Sequence, residues 1–203
     1  MSPAYEYRRL SPEERAAVVR QRRVHGYPLH APPHPFRQAG YYFITMANYE
    51  HNPIMNTPER RTGFEKMLLE HLAEVGADAV GWSILPNHYH VAVGVQHLDE
   101  LSGALQHLHG ITSRAWNLAD GLTGKRRVWY KYRDRKIRNE VHYHRALNYI
   151  HYNPVKHGYV DSPYDWPWTS LENYLIMYGR DWLRERWRQY TPSNDGAEWS
   201  DVE

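Results

Sequence analysis

The stretch from Ala79 to Val95 limits the fold more tightly than any other part of the chain. Ala79-Val80-Gly81-Trp82-Ser83-Ile84-Leu85 and His88-Tyr89-His90-Val91-Ala92-Val93-Gly94-Val95 are apolar runs separated only by Pro86 and Asn87, so they read as two strands joined by a tight turn. The second run alternates, with Tyr89, Val91, Val93 and Val95 on one face and His88, His90, Ala92 and Gly94 on the other. The first face suits a core; the histidine face is small and is expected to be open beyond the histidines.

The other elements follow from period and punctuation. Tyr41 to Met46 is an aromatic and β-branched run, read as a first strand. Asn56, Thr57 and Pro58 start a helix over 58–75, in which Phe64, Met67, Leu68, Leu72 and Val75 recur at helical spacing before the cap Gly76. Leu98 and Asp99 open a second helix that runs to about Leu118, with Leu101, Leu105, Leu108, Thr112 and Ala115 on one side. Residues 128–138 read as a fourth strand, and Asn139 and Glu140 start a third helix that Pro154 is expected to end. The first six elements have the βαββαβ order of an α+β, ferredoxin-like antiparallel sheet with helices on one face. An amphipathic stretch, 171–189, adds a C-terminal helix beyond the third. The expected organisation is a basic arm over 1–40, a main domain over 41–172, the C-terminal helix over 173–190 and an acidic, disordered tail over 191–203.

Composition narrows the chemistry. With 14 His, 17 Tyr and no Cys in 203 residues, disulfide frameworks, thiolate zinc sites and thiol nucleophiles are excluded, and any metal must be held by imidazole, carboxylate or amide oxygen. No apolar run approaches the roughly 20 residues of a membrane span, and the amino terminus lacks the apolar core of a signal peptide. The expected location is cytoplasmic, away from any membrane. The near-neutral total hides two basic segments: residues 1–40 carry seven Arg against three Glu, and residues 125–145 carry nine Lys and Arg against Asp134 and Glu140. With Trp129, Tyr130, Tyr132 and Tyr143 interleaved, they suit a polyanion surface with rings for base stacking, though charge alone fits a solvated strand equally well.

His-x-His occurs three times, at His88/His90, His107/His109 and His142/His144. Two residues apart on a strand point to one face, so His88 and His90 can converge on one ion. On a helix the same spacing places side chains about 200° apart, so the other two pairs cannot chelate one metal and are left to composition or phosphate contact. In the third helix Tyr149 and Asn153, four residues apart, share a face. An amide oxygen beside two imidazoles would make an open three-ligand site for Mg²⁺ or Mn²⁺, with a phenol one turn away as nucleophile. Spacing by itself equally allows two hydrogen-bonded histidines, and it favours a packing tyrosine.

The run Leu85-Pro86-Asn87-His88-Tyr89-His90-Val91, then Tyr149-Ile150-His151-Tyr152-Asn153-Pro154-Val155-Lys156-His157-Gly158, then Trp166-Pro167-Trp168-Thr169-Ser170 resembles the HUH single-strand DNA transposases, specifically the REP-associated tyrosine transposase branch. The resemblance spans roughly residues 40–172. It implies a metal site of His88, His90 and Asn153 holding Mg²⁺ or Mn²⁺, and Tyr149 as the single nucleophile, with Tyr152 at a variable position of the motif. It further implies cleavage and rejoining of single-stranded DNA at palindromic, REP-like hairpins through a 5′-phosphotyrosine, by a monomer or a homodimer. Lys125, Arg126, Arg127, Arg133, Arg135, Lys136 and Arg138, with Arg8 and Arg9 of the arm, are the expected DNA-backbone contacts. Tyr132-Arg133-Asp134-Arg135 departs from the family's pattern after Trp129, which bears on hairpin preference. Two other functions fit the same residues less fully: a domesticated protein that binds hairpin DNA without strand transfer, and a metal phosphoesterase that uses water and needs no Tyr149.

Overall fold

The computed structural model describes residues 39–122, 126–130 and 133–191, together with Ser11, Glu13, Glu14 and Ala17. The chain divides into two compact units, residues 1–35 and 36–203. Within the first, the Glu14 amide donates to Ser11 Oγ at 3.3 Å and the Ser11 amide to Glu14 Oε2 at 2.7 Å, a capping box. The rest of the basic arm and the acidic tail after Thr191 lie outside the described residues.

In the second unit the strands are β1 (Gly40–Ala47), β2 (Asp78–Ile84), β3 (His88–Val95) and β4 (Arg133–Ile137). They pair antiparallel in the order β2-β3-β1-β4. The helices are α1 (Pro58–Glu74), α2 (Leu98–Ala119), α3 (Glu140–Lys156) and α4 (Leu171–Gln189). The βαββαβ order is therefore present, followed by α3 and α4. Among the described residues no helix is long and apolar enough to cross a membrane.

The alternation in β3 decides which helix covers which face. Tyr89, Val91 and Val93, with Tyr42, Ile44 and Met46 of β1, pack against Phe64, Leu68 and Leu72 of α1 and Leu101, Leu105 and Leu108 of α2. The opposite face, with Phe43, Ala92 and Ile137, packs against Ala146 and Ile150 of α3. The histidine face is thus covered rather than open, because its small residues let α3 settle on it. A Cβ added to Gly81 would lie 2.4 Å from Leu147 Cδ2, closer than packed atoms tolerate.

Three boundaries differ from expectation for physical reasons. Pro154 lies inside α3, which runs on to Lys156. The stop is Gly158, at φ 70°, where the Tyr159 amide donates to the Pro154 carbonyl (3.0 Å) and the Gly158 amide to that of Val155 (2.9 Å). That is a Schellman ending, which the left-handed glycine makes possible. The fourth strand is shorter than 128–138: its first part is drawn aside by Trp129, which is buried among Phe64, Tyr89 and Trp116 and donates from Nε1 to Thr112 Oγ1 at 3.0 Å. Finally, α4 breaks at Gly179, at φ 81° and ψ 168°.

The Trp-Pro-Trp-Thr-Ser segment closes the free edge of β2. The Ile84 amide donates to the Trp168 carbonyl at 2.9 Å, the Ser170 amide to that of Trp82 at 3.0 Å, and Trp166 Nε1 to that of Ile84 at 3.1 Å. This satisfies edge groups that would otherwise invite another strand, and it delivers Ser170 to α3.

Candidate active site

β3 presents His88 and His90 to the underside of α3, with ring centroids 5.0 Å apart. Each ring has its Nδ1 occupied: His88 Nδ1 lies 2.6 Å from Asn87 Oδ1, and His90 Nδ1 lies 2.9 Å from Thr45 Oγ1. Asn87 Oδ1 can only accept, so the His88 proton resides on Nδ1 and the Nε2 lone pair is bare. Both rings are buried, at 7% and 3% exposure. Burial, reinforced by the neighbouring His157, holds His88 down to about 3, and burial holds His90 well below the ordinary imidazole value. Both are neutral near pH 7.

α3 supplies the remaining groups. Asn153, fully buried, places Oδ1 3.0 Å from His88 Nε2. Tyr149 meets His90 edge to face at 5.2 Å and Phe43 at 5.9 Å. The rotation of α3 is set from its back: His151 Nε2 lies 2.9 Å from Ser170 Oγ, and Asn148 Nδ2 donates to the carbonyls of Arg186 (3.0 Å) and Tyr190 (2.6 Å). Residues 148 and 151 hold the helix from outside while 149 and 153 face the histidines.

The polar inventory of this pocket does not close on itself. His90 Nε2 and Asn153 Nδ2 are buried without a hydrogen-bond partner. His88 Nε2 and Asn153 Oδ1 face each other as two lone-pair atoms. Turning the amide over would let its Nδ2 donate to His88 but would leave His90 Nε2 bare. A cation taken up by the two imidazoles and the amide oxygen would satisfy all three, and such a donor set suits Mn²⁺ or Mg²⁺. The orienting contacts of Asn87 and Thr45 are those that metal-binding histidines require. Among the described residues no group of three His, Cys, Asp or Glu could hold a metal, and the amide oxygen of Asn153 is the further donor set against His88.

Two cations that spacing alone did not connect with Tyr149 flank it. Lys156 Nζ lies 4.9 Å from the centroid of its ring. Arg135 pairs with Phe43 across β4 and β1, which sets it on the same sheet face. Burial raises the Tyr149 phenol above its ordinary value, while Asn153 and Arg135 pull it down. The phenol is therefore protonated near pH 7, with cations placed to favour its anion.

The other expected site residues separate. Strand alternation puts Arg133 and Arg135 on the α3 face and Lys136 on the other, with Arg138 exposed beyond β4. Arg126 is engaged with Asp120 at 2.7 Å and Asn117 at 3.0 Å, and Asp120 also pairs with Arg60. Arg127 lies over Tyr49 and Tyr130. A groove of about 760 Å³, lined by Arg114, Arg126, Arg127, Asn117 and Trp129, runs beside α2 and does not include His88, His90 or Tyr149. Lys125, Arg8, Arg9 and Tyr132 lie outside the described residues. Trp129 is core rather than a stacking ring. The other histidine pairs pack: His109 Nε2 lies 2.9 Å from Tyr89 Oη, His107 stacks on His71, and His144 stacks on Tyr190.

The sheet order, with a helix laid against the histidine-bearing strand, has counterparts among known proteins. A solved structure, described as a REP-associated tyrosine transposase bound to a REP hairpin, shares the fold with a TM-score of 0.58 and 21% identity, over 72% of this chain and 86% of that one. The chain is also 28% identical over 162 residues to a Haemophilus influenzae protein assigned to the REP-associated tyrosine transposases, covering 72% of this chain and 89% of the relative. A REP-associated tyrosine transposase of Escherichia coli K12 is 28% identical over 107 residues, 50% of this chain and 59% of the relative. No family model matches the chain. The chain is thus similar in sequence to a protein of that name over 72% of its length, and it shares the fold of the solved transposase structure.

Proposed function

We propose that the protein cleaves and rejoins single-stranded DNA at palindromic, REP-like hairpins, with Tyr149 as nucleophile and a divalent ion held by His88, His90 and Asn153. The observation that carries this reading is the convergence of Tyr149 with buried, neutral imidazoles, one of which has its Nε2 unpartnered. A pure DNA-binding protein would gain nothing from such a pocket, since burying unpaired polar atoms destabilises it.

In the first step Tyr149 Oη attacks the scissile phosphorus, the bond from phosphorus to the 3′ oxygen breaks, the phenol proton leaves to solvent, and the 3′ oxygen takes up a proton. The products are a 5′-phosphotyrosine and a free 3′-OH. Because the ester retains the bond's free energy, a 3′-OH can attack it in reverse and rejoin strands without a nucleotide cofactor. The metal, when bound, polarises the phosphate oxygens. Lys156 and Arg135 offset charge on the phenolate and on the phosphate as they meet. Asn87 holds His88 in the tautomer with Nε2 free, and Thr45 fixes the orientation of the His90 ring. Ser170, through His151, keeps the face of α3 turned toward the substrate.

The test is incubation of labelled hairpin DNA carrying a single-stranded flank with the protein and Mn²⁺ or Mg²⁺. A denaturation-resistant protein–DNA adduct that is lost in Tyr149→Phe supports the reading. Cleavage that survives in Tyr149→Phe would indicate a hydrolase using water, and tight binding without either product would indicate a hairpin-binding protein.

A further inference from the structure

Two of the helices bring together a pair of histidines that the cleavage reading leaves unused. His107 belongs to a His-x-His pair whose members point apart on α2, and its neighbour His109 turns into the core to meet Tyr89. The His107 ring lies instead against that of His71 on α1, with 5.5 Å between centroids and 28° between planes. The backbones beneath both rings are fixed. Leu68 and Leu72 near His71, and Leu105 and Leu108 near His107, are buried in the same core. The two imidazoles therefore face each other because α1 and α2 pack together, a relation that spacing along the chain does not contain.

His71 is held in one tautomer. Its Nδ1 lies 2.8 Å from the Met67 carbonyl, one turn back on α1. A carbonyl only accepts, so the ring proton sits on Nδ1 and the Nε2 lone pair is left for another partner. A backbone carbonyl on the far nitrogen is the contact by which metal-binding histidines fix their orientation and gain basicity. Among the described residues no hydrogen-bond partner competes for His71 Nε2 or for the His107 ring. His71 is half-buried and His107 exposed, so the second ring is free to turn toward a shared ion. Two imidazoles bound to one zinc hold their nitrogens roughly 3.3 Å apart, given tetrahedral bonds of about 2.0–2.1 Å. Rings at this separation, close to the 5.0 Å between His88 and His90, reach that spacing by side-chain rotation alone. Glu74, exposed on the next turn of α1 on the same side as His71, adds negative charge beside a cation.

We propose that His71 and His107 form a binding site for a divalent transition ion such as Zn²⁺, held by the two imidazoles, completed by water, and tying α1 to α2. The donor chemistry separates this site from the catalytic pocket: a pair of imidazoles favours Zn²⁺, Cu²⁺ or Ni²⁺, whereas the amide oxygen of Asn153 extends the other set to harder ions. The two places lie on opposite sides of the sheet, since α1 and α2 cover the Tyr89 and Val91 face and α3 covers the other. An ion shared by α1 and α2 binds only when both helices are docked, so it stabilises the folded state without entering the chemistry at Tyr149.

The measurement is calorimetric titration of the full chain with Zn²⁺, with the melting temperature recorded in parallel. Other histidines, including those of the catalytic pocket, can also take zinc, so the readout is the difference between proteins. His71→Gln and His107→Gln are each expected to bind one Zn²⁺ fewer than the unaltered chain. The double variant should lose no more than either single one, because both side chains hold the same ion. Zinc should raise the melting temperature less in all three variants than in the unaltered chain, while the rise produced by Mn²⁺ stays the same. Equal zinc counts in the unaltered chain and either single variant would overturn the proposal. A double variant that loses two ions would overturn it as well, since the histidines would then be separate, single-ligand sites.

Discussion

His88 Nε2 and Asn153 Oδ1 face each other across 3.0 Å, one from the central strand and one from the helix laid over it. Both atoms offer lone pairs, and the neighbouring His90 Nε2 has no partner. An ion that binds all three stabilises the folded state alone. Mn²⁺ at about a hundred times its dissociation constant should therefore add ~2.7 kcal/mol of stability, seen as a rise in melting temperature. The rise should vanish in His90→Ala and in Asn153→Ala. A rise of equal size in both variants would show that the ion binds elsewhere.

The cations around Tyr149 should act on chemistry more than on binding. Lys156→Met is expected to slow adduct formation by roughly ten- to a hundredfold, about 1.4–2.7 kcal/mol of barrier, with hairpin affinity nearly unchanged. Arg135→Met should act in the same direction. An affinity loss as large as the rate loss would make Lys156 a general backbone contact instead.

The contact between His151 and Ser170 supports α3 on the side of the helix away from Tyr149 and Asn153. Ser170→Ala leaves the buried His151 Nε2 without a partner, which costs about 1–3 kcal/mol. Chemical denaturation should show that loss, and single-turnover cleavage should slow because Tyr149 and Asn153 share the same helix. Unchanged stability would mean that water takes the place of the hydroxyl.

Close packing of α3 on the sheet passes through Gly81. Gly81→Ala drives a methyl into Leu147 and should destabilise by about 1–3 kcal/mol. Leu147→Ala made in addition should return part of that, so the two changes will be non-additive in a double-mutant cycle. Strict additivity would show that the sheet, rather than Leu147, absorbs the methyl.

Stability should fall in acid. His109 and His151 are held near 3 by burial, whereas an unfolded histidine titrates near 6.5. Below about pH 6.5 the unfolded chain takes up protons that the folded chain refuses, so stability is full above that pH and declines toward pH 3. Between pH 7 and pH 5 each such histidine removes ~2 kcal/mol. Denaturation midpoints across that range should drop steeply, and less so in His109→Gln; a flat profile would mean these rings are not buried.

Much of this molecule is written in local pattern. Period-two alternation in His88 to Val95 determines which side chains share a face, Thr57 with Pro58 and Asn139 start helices, and Tyr149 and Asn153 lie one turn apart whatever surrounds them. These are short-range facts of strand and helix geometry, which is why shared faces could be read from the amino acids. Tertiary structure decided what covers the histidine face, because that depends on Gly81 and Ala92 admitting Leu147 and Ile150 from a helix some sixty residues away in the chain. It also turned Trp129 inward, passed the end of α3 from Pro154 to Gly158, and brought Lys156, Arg135 and Ser170 to bear on one helix. Sequence spacing carries no trace of those relations, since they arise from close packing between elements that meet only once the sheet has formed.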